Sequence, residues 1–264
     1  MSFTLPAGIA LPTTAGRELV AFVLVIGRIG PLFVLAPVLS APFLPSRAKF
    51  VGAAAFALAL TPIAAAGQAI PTDPLAFALT LGKEIVVGLA FALAIAIATA
   101  AVSAGSSLID TTVGFSFGAV LDPLTGNNSA VLGQVYGIFA TMIFLLSGGV
   151  QLTVMGLARS YDLVPLGHVP SVGSLAGLAL RGLEQVPIIG FELVAPVLLS
   201  ILVTDAAFGL VARAVPQMNV LVVALPLKVL LAFAVVAVSL PLVGVHLVGD
   251  FENAVSASLS AFSH

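Results

Sequence analysis

The stretch Ser103–Ser129, SAGSSLIDTTVGFSFGAVLDPLTGNNS, lies between two long apolar runs that carry almost no charge. It contains the aspartates Asp110 and Asp122, four glycines and one proline. Glycine and proline disfavour a helix, and Ser, Thr and Asn side chains compete for its backbone hydrogen bonds. The stretch therefore predicts a break in a lipid-exposed helix. Its recurring apolar side chains favour a loop that packs against protein or lines a wet cavity.

Composition sets the class of protein. The chain is 60% apolar and 8% charged, with a mean hydropathy of +1.24, whereas a soluble domain carries about 25% charged residues. We expect an all-α, polytopic membrane protein. The net charge of −2 gives no reason to expect a nucleic-acid partner. With no cysteine and three scattered histidines, the sequence predicts no metal site, no cofactor and no catalytic centre.

Six apolar runs are long enough to be helices, and we assign them to a single domain, 1–264. Pro31 and Pro37 predict a kink or a break in the first run. Residues 160–187 are amphiphilic and predict an interfacial or a re-entrant helix. The third run has small residues at i,i+4 spacing, which predicts tight helix packing. The runs cover about 17–39, 50–66, 84–103, 130–158, 186–212 and 220–248, with the loop at 104–129.

Several charges lie where a membrane helix makes them costly. Arg28 is in the middle of the first run, where an unpaired charge costs on the order of 3 kcal/mol. It is either a structural ion pair with another helix, or a subunit contact or pore-facing charge. Arg47 and Lys49 form the only positive cluster and favour a cytoplasmic loop.

The stretch Asp205–Lys228 predicts a helical hairpin with an unusually polar turn. Its turn begins at Pro216, and strong hydrogen-bonding groups crowd around it. Arg213 and Lys228 either reach the lipid head groups or pair with carboxylates, such as Asp205, Glu192 or those of other subunits.

Four segments, in order along the chain, resemble the FliR/SctT family of inner-membrane components of bacterial flagellar and virulence type III secretion systems. Each contains a pattern of that family: Arg…Pro…Pro-x-Arg, Glu-x-x-x-Gly-Leu, Ile-Asp-x-x-x-Gly…Asp-Pro-x-x-Gly, and Arg-x-x-Pro-Gln-hydrophobic-Asn followed by Pro-hydrophobic-Lys. The segments are RIGPLFVLAPVLSAPFLPSRAK (28–49), KEIVVGLAFALAIA (83–96), LIDTTVGFSFGAVLDPLTGNNS (108–129) and ARAVPQMNVLVVALPLK (212–228).

The resemblance implies a noncatalytic subunit, present once in an export gate and built of long, kinked helical hairpins packed into a multi-subunit assembly. It also implies FliP-, FliQ- and FlhB-like membrane partners, contact with lipid, and unfolded exported proteins in transit. The implied location is the bacterial inner membrane at the flagellar basal body. The family's helices form a stack held partly above the membrane, so hydropathy alone would overcount true bilayer crossings.

The plug loop of the family matches Ile109–Asn128. We hypothesise that Val113, Phe115 and Phe117 fill the closed pore, since a narrow apolar constriction excludes water. The glycines would let the loop move aside, and Asp110 and Asp122 would anchor its ends through backbone N–H groups or a partner's cation. The alternative is a loop that merely connects two helices. The predicted plug and gating residues are Ile109, Asp110, Val113, Gly114, Phe115, Phe117, Gly118, Asp122, Pro123 and Gly126.

A second set of residues is predicted to serve structure or subunit contact. Its members are the charged, polar and proline positions of the family-like segments: Arg28, Pro37, Arg47, Glu84, Asp205, Arg213, Pro216, Gln217, Asn219, Pro226 and Lys228.

Within the family, the sequence favours the flagellar system, and a virulence gate subunit is the alternative. A secondary transporter would also use broken helices and buried charges, but it would show an internal repeat, and none is evident. An intramembrane enzyme would need a nucleophile–base pair or a metal cluster, and the scattered His and Ser residues suggest neither.

Overall fold

The computed structural model describes residues 13–36, 39–40, 45–68, 70–71, 73–115, 131–217 and 219–263. Within these ranges the chain is folded as α-helices joined by short turns, which agrees with the all-α prediction. The helices are α1 (Thr13–Leu35), α2 (Ser46–Ala65), α3 (Pro74–Val113), α4 (Val131–Leu146), α5 (Gly149–Leu163), α6 (Val172–Ala214) and α7 (Val220–Phe262).

The first two helices pack against each other. Helix α1 passes through Pro31 and ends at Leu35, before the second proline of the predicted run. Helix α2 begins at Ser46 and passes through Pro62. The rings of Phe33 and Phe56 join the two helices, with their centroids 6.1 Å apart.

Helix α3 begins earlier than the sequence indicated, at Pro74 rather than near residue 84. Proline suits the first position of a helix because the N–H group that it lacks would have no helical partner there. Asp73 caps this end, and its carboxylate accepts a hydrogen bond of 3.0 Å from the backbone N–H of Ala76. Helix α3 therefore includes residues 74–83, which lie between the second and third predicted runs.

The same helix also ends later than predicted, at Val113, so the prediction of a loop from residue 104 was wrong for its first part. The reason lies in the hydroxyl groups of this region. They donate to carbonyls three or four residues earlier in the same helix, so they are satisfied without opening it. The donors are Ser103, Ser106, Ser107, Thr111 and Thr112.

The last two helices are also longer than the runs that predicted them. Helix α6 extends from Val172 to Ala214 through Pro187 and Pro196, so part of the segment 160–187 is the beginning of a long helix. Helix α7 extends from Val220 to Phe262 through Pro226 and Pro241. The predicted run 130–158 is instead divided into α4 and α5 at Ser147–Gly148, where Gly148 has φ 76°. Only glycine takes that conformation at little cost.

Within the described residues, five helices are long and apolar enough to cross a membrane: α1, α2, α3, α6 and α7. The number rises to six if α4 and α5 together form one broken span. This agrees with the prediction of a polytopic α-helical membrane protein.

The chain divides into two compact units. Unit 1 comprises Met1–Ala96, Gly148–Gly182 and Phe251–His264, and unit 2 comprises Ile97–Ser147 and Leu183–Asp250. The prediction of one domain over 1–264 stays a prediction.

Unit 1 is centred on a buried ion pair between α1 and α3. The Nε of Arg28 lies 2.6 Å from Oε2 of Glu84, and both side chains are fully buried. The Arg28 Nη1 donates to the Ser160 hydroxyl at 3.2 Å and to the Val164 carbonyl at 3.0 Å. Its guanidinium also lies over the Tyr161 ring, 4.1 Å from the centroid. This geometry corresponds to the first of the two interpretations of Arg28, a structural ion pair with another helix.

Glu84 links this pair to the segment after α5. Its Oε1 accepts a hydrogen bond of 2.8 Å from the Gly167 N–H, and the neighbouring Lys83 donates to the Gly167 carbonyl at 3.0 Å. One carboxylate thus holds α1 and the 164–167 turn against α3. Each carboxylate oxygen has a hydrogen-bond donor, which offsets part of the cost of burying the pair, whereas the Nη2 of Arg28 is buried without a hydrogen-bond partner.

A glycine allows this close approach of α1 and α3. A Cβ atom at Gly88 would collide with the backbone carbonyl of Arg28. Gly82 lies on the same helix and faces open space, since a Cβ there would meet no atom within 4 Å. The two positions therefore separate the effect of helix propensity from that of packing.

We predict that Gly88→Ala destabilises the protein by about 1–3 kcal/mol, because the added methyl group forces two packed backbones apart. Gly82→Ala is the matched control and should be neutral, or stabilising by up to about 1 kcal/mol. Thermal unfolding of the detergent-solubilised protein measures both. Equal effects of the two substitutions would contradict the close packing.

We predict that Glu84→Gln costs about 3 kcal/mol or more, because it leaves the Arg28 charge buried without a counter-ion. The matched control is Glu184→Gln, since Glu184 is exposed, and it should change the unfolding temperature little. If both variants unfold at the wild-type temperature, the buried pair is not a determinant of stability.

Candidate functional site

The candidate site is the base of the predicted plug loop, in unit 2. The structure describes five of the predicted plug residues: Ile109, Asp110, Val113, Gly114 and Phe115. The other five lie outside the described residues: Phe117, Gly118, Asp122, Pro123 and Gly126. The described five occupy the last turn of α3 and the two residues after it.

Ile109 and Val113 are both buried on the inner side of this last turn, with Val113 only 1% exposed. Val113 was predicted to fill the pore. Within this chain its side chain packs inside unit 2, because α3 continues through this position and turns it towards the core. Its role in the pore stays a prediction.

Asp110 joins the two sides of the loop. Its carboxylate is buried, at 5% residue exposure, and accepts hydrogen bonds from the backbone N–H groups of Leu132 at 3.0 Å and Gly133 at 2.9 Å. These are N–H groups of the first turn of α4, which have no partner within that helix. A negative charge there also meets the positive end of the helix dipole. We call this arrangement the Asp110 clasp. Of the two anchors that the sequence suggested for Asp110, this is the one made through backbone N–H groups.

The backbone of Asp110 also ends α3. Its carbonyl accepts hydrogen bonds from the N–H groups of Gly114 at 3.2 Å and Phe115 at 2.9 Å. Gly114 has φ 104°, a conformation that side-chain-bearing residues rarely adopt. The chain therefore leaves the helix at a residue that is suited to change direction.

A pair of glycines fixes α3 against α6. A Cβ atom on Gly105 would collide with the Gly190 carbonyl, and one on Gly190 would lie 2.7 Å from the Ala101 carbonyl. The two backbones are thus in direct contact one to two turns before the clasp, as in membrane helices that meet through small residues.

Phe115 makes the last contact before the chain leaves the described residues. Its ring packs edge to face on Phe233 of α7, with centroids 6.5 Å apart and an interplanar angle of 71°. Such pairs contribute about 0.5–1.5 kcal/mol beyond the area that they bury. Phe115, predicted to fill the pore, thus packs on a helix of its own subunit.

The second group of predicted residues lies in the α6–α7 hairpin, also in unit 2. Lys228 forms an ion pair with Asp205, which is one of the pairings that the sequence suggested. The side chain of Lys228 is largely covered and that of Asp205 is half exposed. Pro226 lies inside α7. The turn residues Arg213, Pro216, Gln217 and Asn219 are exposed.

The remaining predicted residues divide between the core and the surface. Arg28 and Glu84 form the buried pair of unit 1, Arg47 is exposed at the start of α2, and Pro37 lies outside the described residues. Among the described residues, no three His, Cys, Asp or Glu side chains come together as a metal site would require.

Sequence reasoning missed the partners that complete the site. Gly105 lies in the quoted stretch, but Gly190 and Phe233 lie in long apolar runs with nothing to single them out. A glycine in the middle of an apolar helix was the one available signal, since it marks a close approach of backbones.

Comparison of the sequence with known proteins identifies a family. The family model described as "Bacterial export proteins, family 1" matches residues 19–254. The flagellar biosynthetic protein FliR of Bacillus subtilis (strain 168) is 35% identical over 164 residues, which are 61% of this chain and 63% of that protein.

Two further relatives extend the comparison. FliR of Escherichia coli (strain K12) is 28% identical over 238 residues, which are 88% of this chain and 90% of that protein. The surface presentation of antigens protein SpaR of Shigella flexneri is 29% identical over 157 residues, which are 58% of this chain and 59% of that protein.

We predict that Asp110→Ala destabilises the protein by about 2 kcal/mol, because two N–H groups at the buried start of α4 lose their acceptor. Asp110→Asn keeps one acceptor oxygen and should cost less. Thermal unfolding measures both, with Asp162→Ala as the control because Asp162 is exposed. A wild-type unfolding temperature for Asp110→Ala would show that the clasp contributes nothing to stability.

Proposed function

The chain belongs to the bacterial export proteins of family 1, the FliR/SctT family, and from this premise we propose that it is a noncatalytic core subunit of a flagellar type III export gate. In this role it helps to form and to close the pore through which unfolded flagellar proteins leave the cell. It acts in the inner membrane at the flagellar basal body.

The observation that carries the proposal is the family match over residues 19–254, and the length of the helices supports its multi-subunit part. Helix α3 has 40 residues, and α6 and α7 have 43 each, so each is about 60 Å long. The hydrocarbon core of a bilayer is about 30 Å thick. Even a tilt of about 40°, the upper end of the usual range, leaves a 60 Å helix well over the thickness of that core. Each of these helices must therefore extend beyond the lipid.

Exposed apolar side chains cover more of α6 than the depth of a bilayer core. On α6 they extend from Leu180 to Leu210, which is about 45 Å, whereas on α3 they lie mainly between Leu75 and Leu89. Lipid covers only part of such a surface, and apolar surface left in water favours association. Protein subunits are the natural cover for the rest. This supports membership of a multi-subunit membrane assembly. The FliP-, FliQ- and FlhB-like partners are what the family membership implies.

The loop that follows Gly114 is the part of the chain that we assign to pore closure. Its base is held by the Asp110 clasp and the Gly105–Gly190 contact, so the loop starts from a fixed position. Its sequence carries the apolar side chains that a dewetted constriction needs. The gating role of the individual residues of 109–128 is part of this proposal.

The flagellar assignment is favoured by relatives named for flagellar biosynthesis, one of which aligns over 90% of its own length. The alternative is the equivalent subunit of a virulence secretion system, because SpaR aligns with comparable identity. The flagellar and the virulence gate subunit would work by the same mechanism and differ in the proteins that they export.

We predict that deleting this chain from the organism that encodes it abolishes secretion of the flagellar filament protein, and that restoring the chain restores it. Immunoblots of the culture medium measure this, and any virulence effectors of the same organism serve as the comparison. Loss of effector secretion alone would favour the alternative, a subunit of a virulence secretion system. Normal secretion of both groups of proteins would refute an export role.

A second measurement tests the assembly directly. The chain is purified after co-expression with its genomic neighbours, and the native mass of the complex is determined. We expect a hetero-oligomer with one copy of this chain. A stable monomer or homodimer that excludes those neighbours would contradict the proposal and favour a transporter.

A further inference from the structure

A partly open cavity of about 570 Å³ lies between α1 and α2, within unit 1. Arg17 and Glu18 line it from the start of α1, Phe22 lines it one turn later, and Ile70 lines it from the segment that follows α2. Its volume is in the range of pockets that hold small molecules, about 300–1,000 Å³. We call this cavity the Arg17 groove.

One face of α2 forms the apolar wall of the groove. The wall residues Leu58, Thr61, Pro62 and Ala65 have the i, i+3, i+4, i+7 spacing of a single helical face. The Thr61 hydroxyl donates to the Ala57 carbonyl at 2.6 Å, so it is satisfied within the helix. The wall therefore offers mainly apolar contact to whatever lies in the groove.

The mouth of the groove carries one positive and one negative charge. Arg17 and Glu18 are both exposed, and as immediate neighbours on a helix they do not face each other. The Nη2 of Arg17 donates to the Gln68 carbonyl at 2.8 Å, which leaves other N–H groups of the guanidinium for a ligand. Among the described residues, Glu18 forms no salt bridge. An occupant therefore meets a cation and an anion side by side.

The groove begins at one end of two candidate spans and continues along their apolar length. Helices α1 and α2 are both long and apolar enough to cross a membrane. The contact between Arg17 and Gln68 joins the start of α1 to the end of α2, so these two ends reach the same side. The charged mouth then lies at the level of the lipid head groups. From Ala65 to Leu58 the wall extends roughly 10 Å towards the centre of the bilayer.

We propose that the Arg17 groove binds one phospholipid with a zwitterionic amine head group, of the phosphatidylethanolamine type. The lipid phosphate binds Arg17, the lipid ammonium donates to Glu18, and one acyl chain lies along the wall of α2. Charge complementarity selects this lipid, because an anionic head group without an amine would leave Glu18 unpaired beside a negative charge. The site is separate from pore closure and would serve a flagellar or a virulence subunit equally.

The first test counts bound lipids by native mass spectrometry of the full chain, alone and in complex with its co-expressed neighbours. Both samples are exposed to phosphatidylethanolamine and phosphatidylglycerol in equal amounts, and the wild type should retain one phosphatidylethanolamine. Arg17→Gln should lower the retention of both lipids about tenfold, because it removes a charged donor to the phosphate. The matched control is Arg159→Gln, since Arg159 is exposed and does not line the groove. Equal retention by both variants would overturn the proposal.

Glu18→Gln separates recognition of the head group from general adhesion of lipid. It removes the partner of the lipid ammonium and the repulsion of an anionic head group, so the preference for phosphatidylethanolamine should fall about tenfold. A merely structural role of Glu18 would change the retention of both lipids equally. Asp162→Asn is the control, because Asp162 is exposed outside the groove. An unchanged lipid preference in Glu18→Gln would overturn the proposal.

Filling the groove tests its apolar part. Ala65 lines the groove, so Ala65→Phe should abolish retention of the phosphatidylethanolamine molecule. Ala59→Phe places the same ring on an exposed position of α2 outside the groove and should leave retention unchanged. If Ala65→Phe does not fold, the substitutions of the exposed Arg17 and Glu18 decide the outcome. Retention of the lipid by folded Ala65→Phe would overturn the proposal.

Two other occupants of the groove would give different results. If the lipid is retained by the chain alone and lost from the assembled complex, a neighbouring subunit covers the groove. If the lipid is retained only after deletion of residues 2–12, that segment of the chain covers it. Either result overturns the lipid site, whereas retention in both samples supports it. The proposed function is tested separately, by secretion after deletion of the chain, so the two can fail independently.

Discussion

The mismatch between helix length and bilayer thickness is the constraint on which the rest of this structure depends. Three helices of 40 or more residues are each longer than the core of a bilayer is thick, and all three expose apolar side chains. Membership of the export family implies a complex with other membrane subunits, and within it the chain has to hold its own helices together. The buried polar contacts of both units meet this need, because a charge paired in a low-dielectric site holds its partners to one register.

Much of the fold could be predicted from composition and hydropathy. The class followed from the scarcity of charge, and each apolar run contains helix. The ends of the helices could not be predicted, because serine and threonine read as helix breakers in water but satisfy their hydroxyls on the helix itself in an apolar setting. For this reason α3 ends at Val113, whereas the predicted run ended at residue 103. Likewise, prolines inside α6 and α7 did not end either helix.

The candidate site could be predicted only in part. The sequence singled out Asp110 as an anchor, because a charged side chain in an apolar stretch is costly unless it has a partner. It could not reveal which groups the acid meets, since Leu132 and Gly133 contribute only their backbones. The same holds for Phe233, one of 17 phenylalanines in the chain. Residue type identifies a side chain with unusual chemistry, whereas contacts made by backbone or by common apolar side chains appear only in three dimensions.

The buried pair of unit 1 has a consequence for the way in which the chain is made. Arg28 leaves the ribosome long before Glu84, and Ser160 and Gly167 follow much later, yet all four meet in one cluster. An isolated arginine at the centre of a nascent span costs on the order of 3 kcal/mol during insertion. The apolar residues of α1 make it a candidate span in spite of this cost, but its insertion becomes more favourable once α3 supplies the Glu84 carboxylate. The order of synthesis thus makes the α1–α3 pair available before the 164–167 turn, whose residues complete the cluster later.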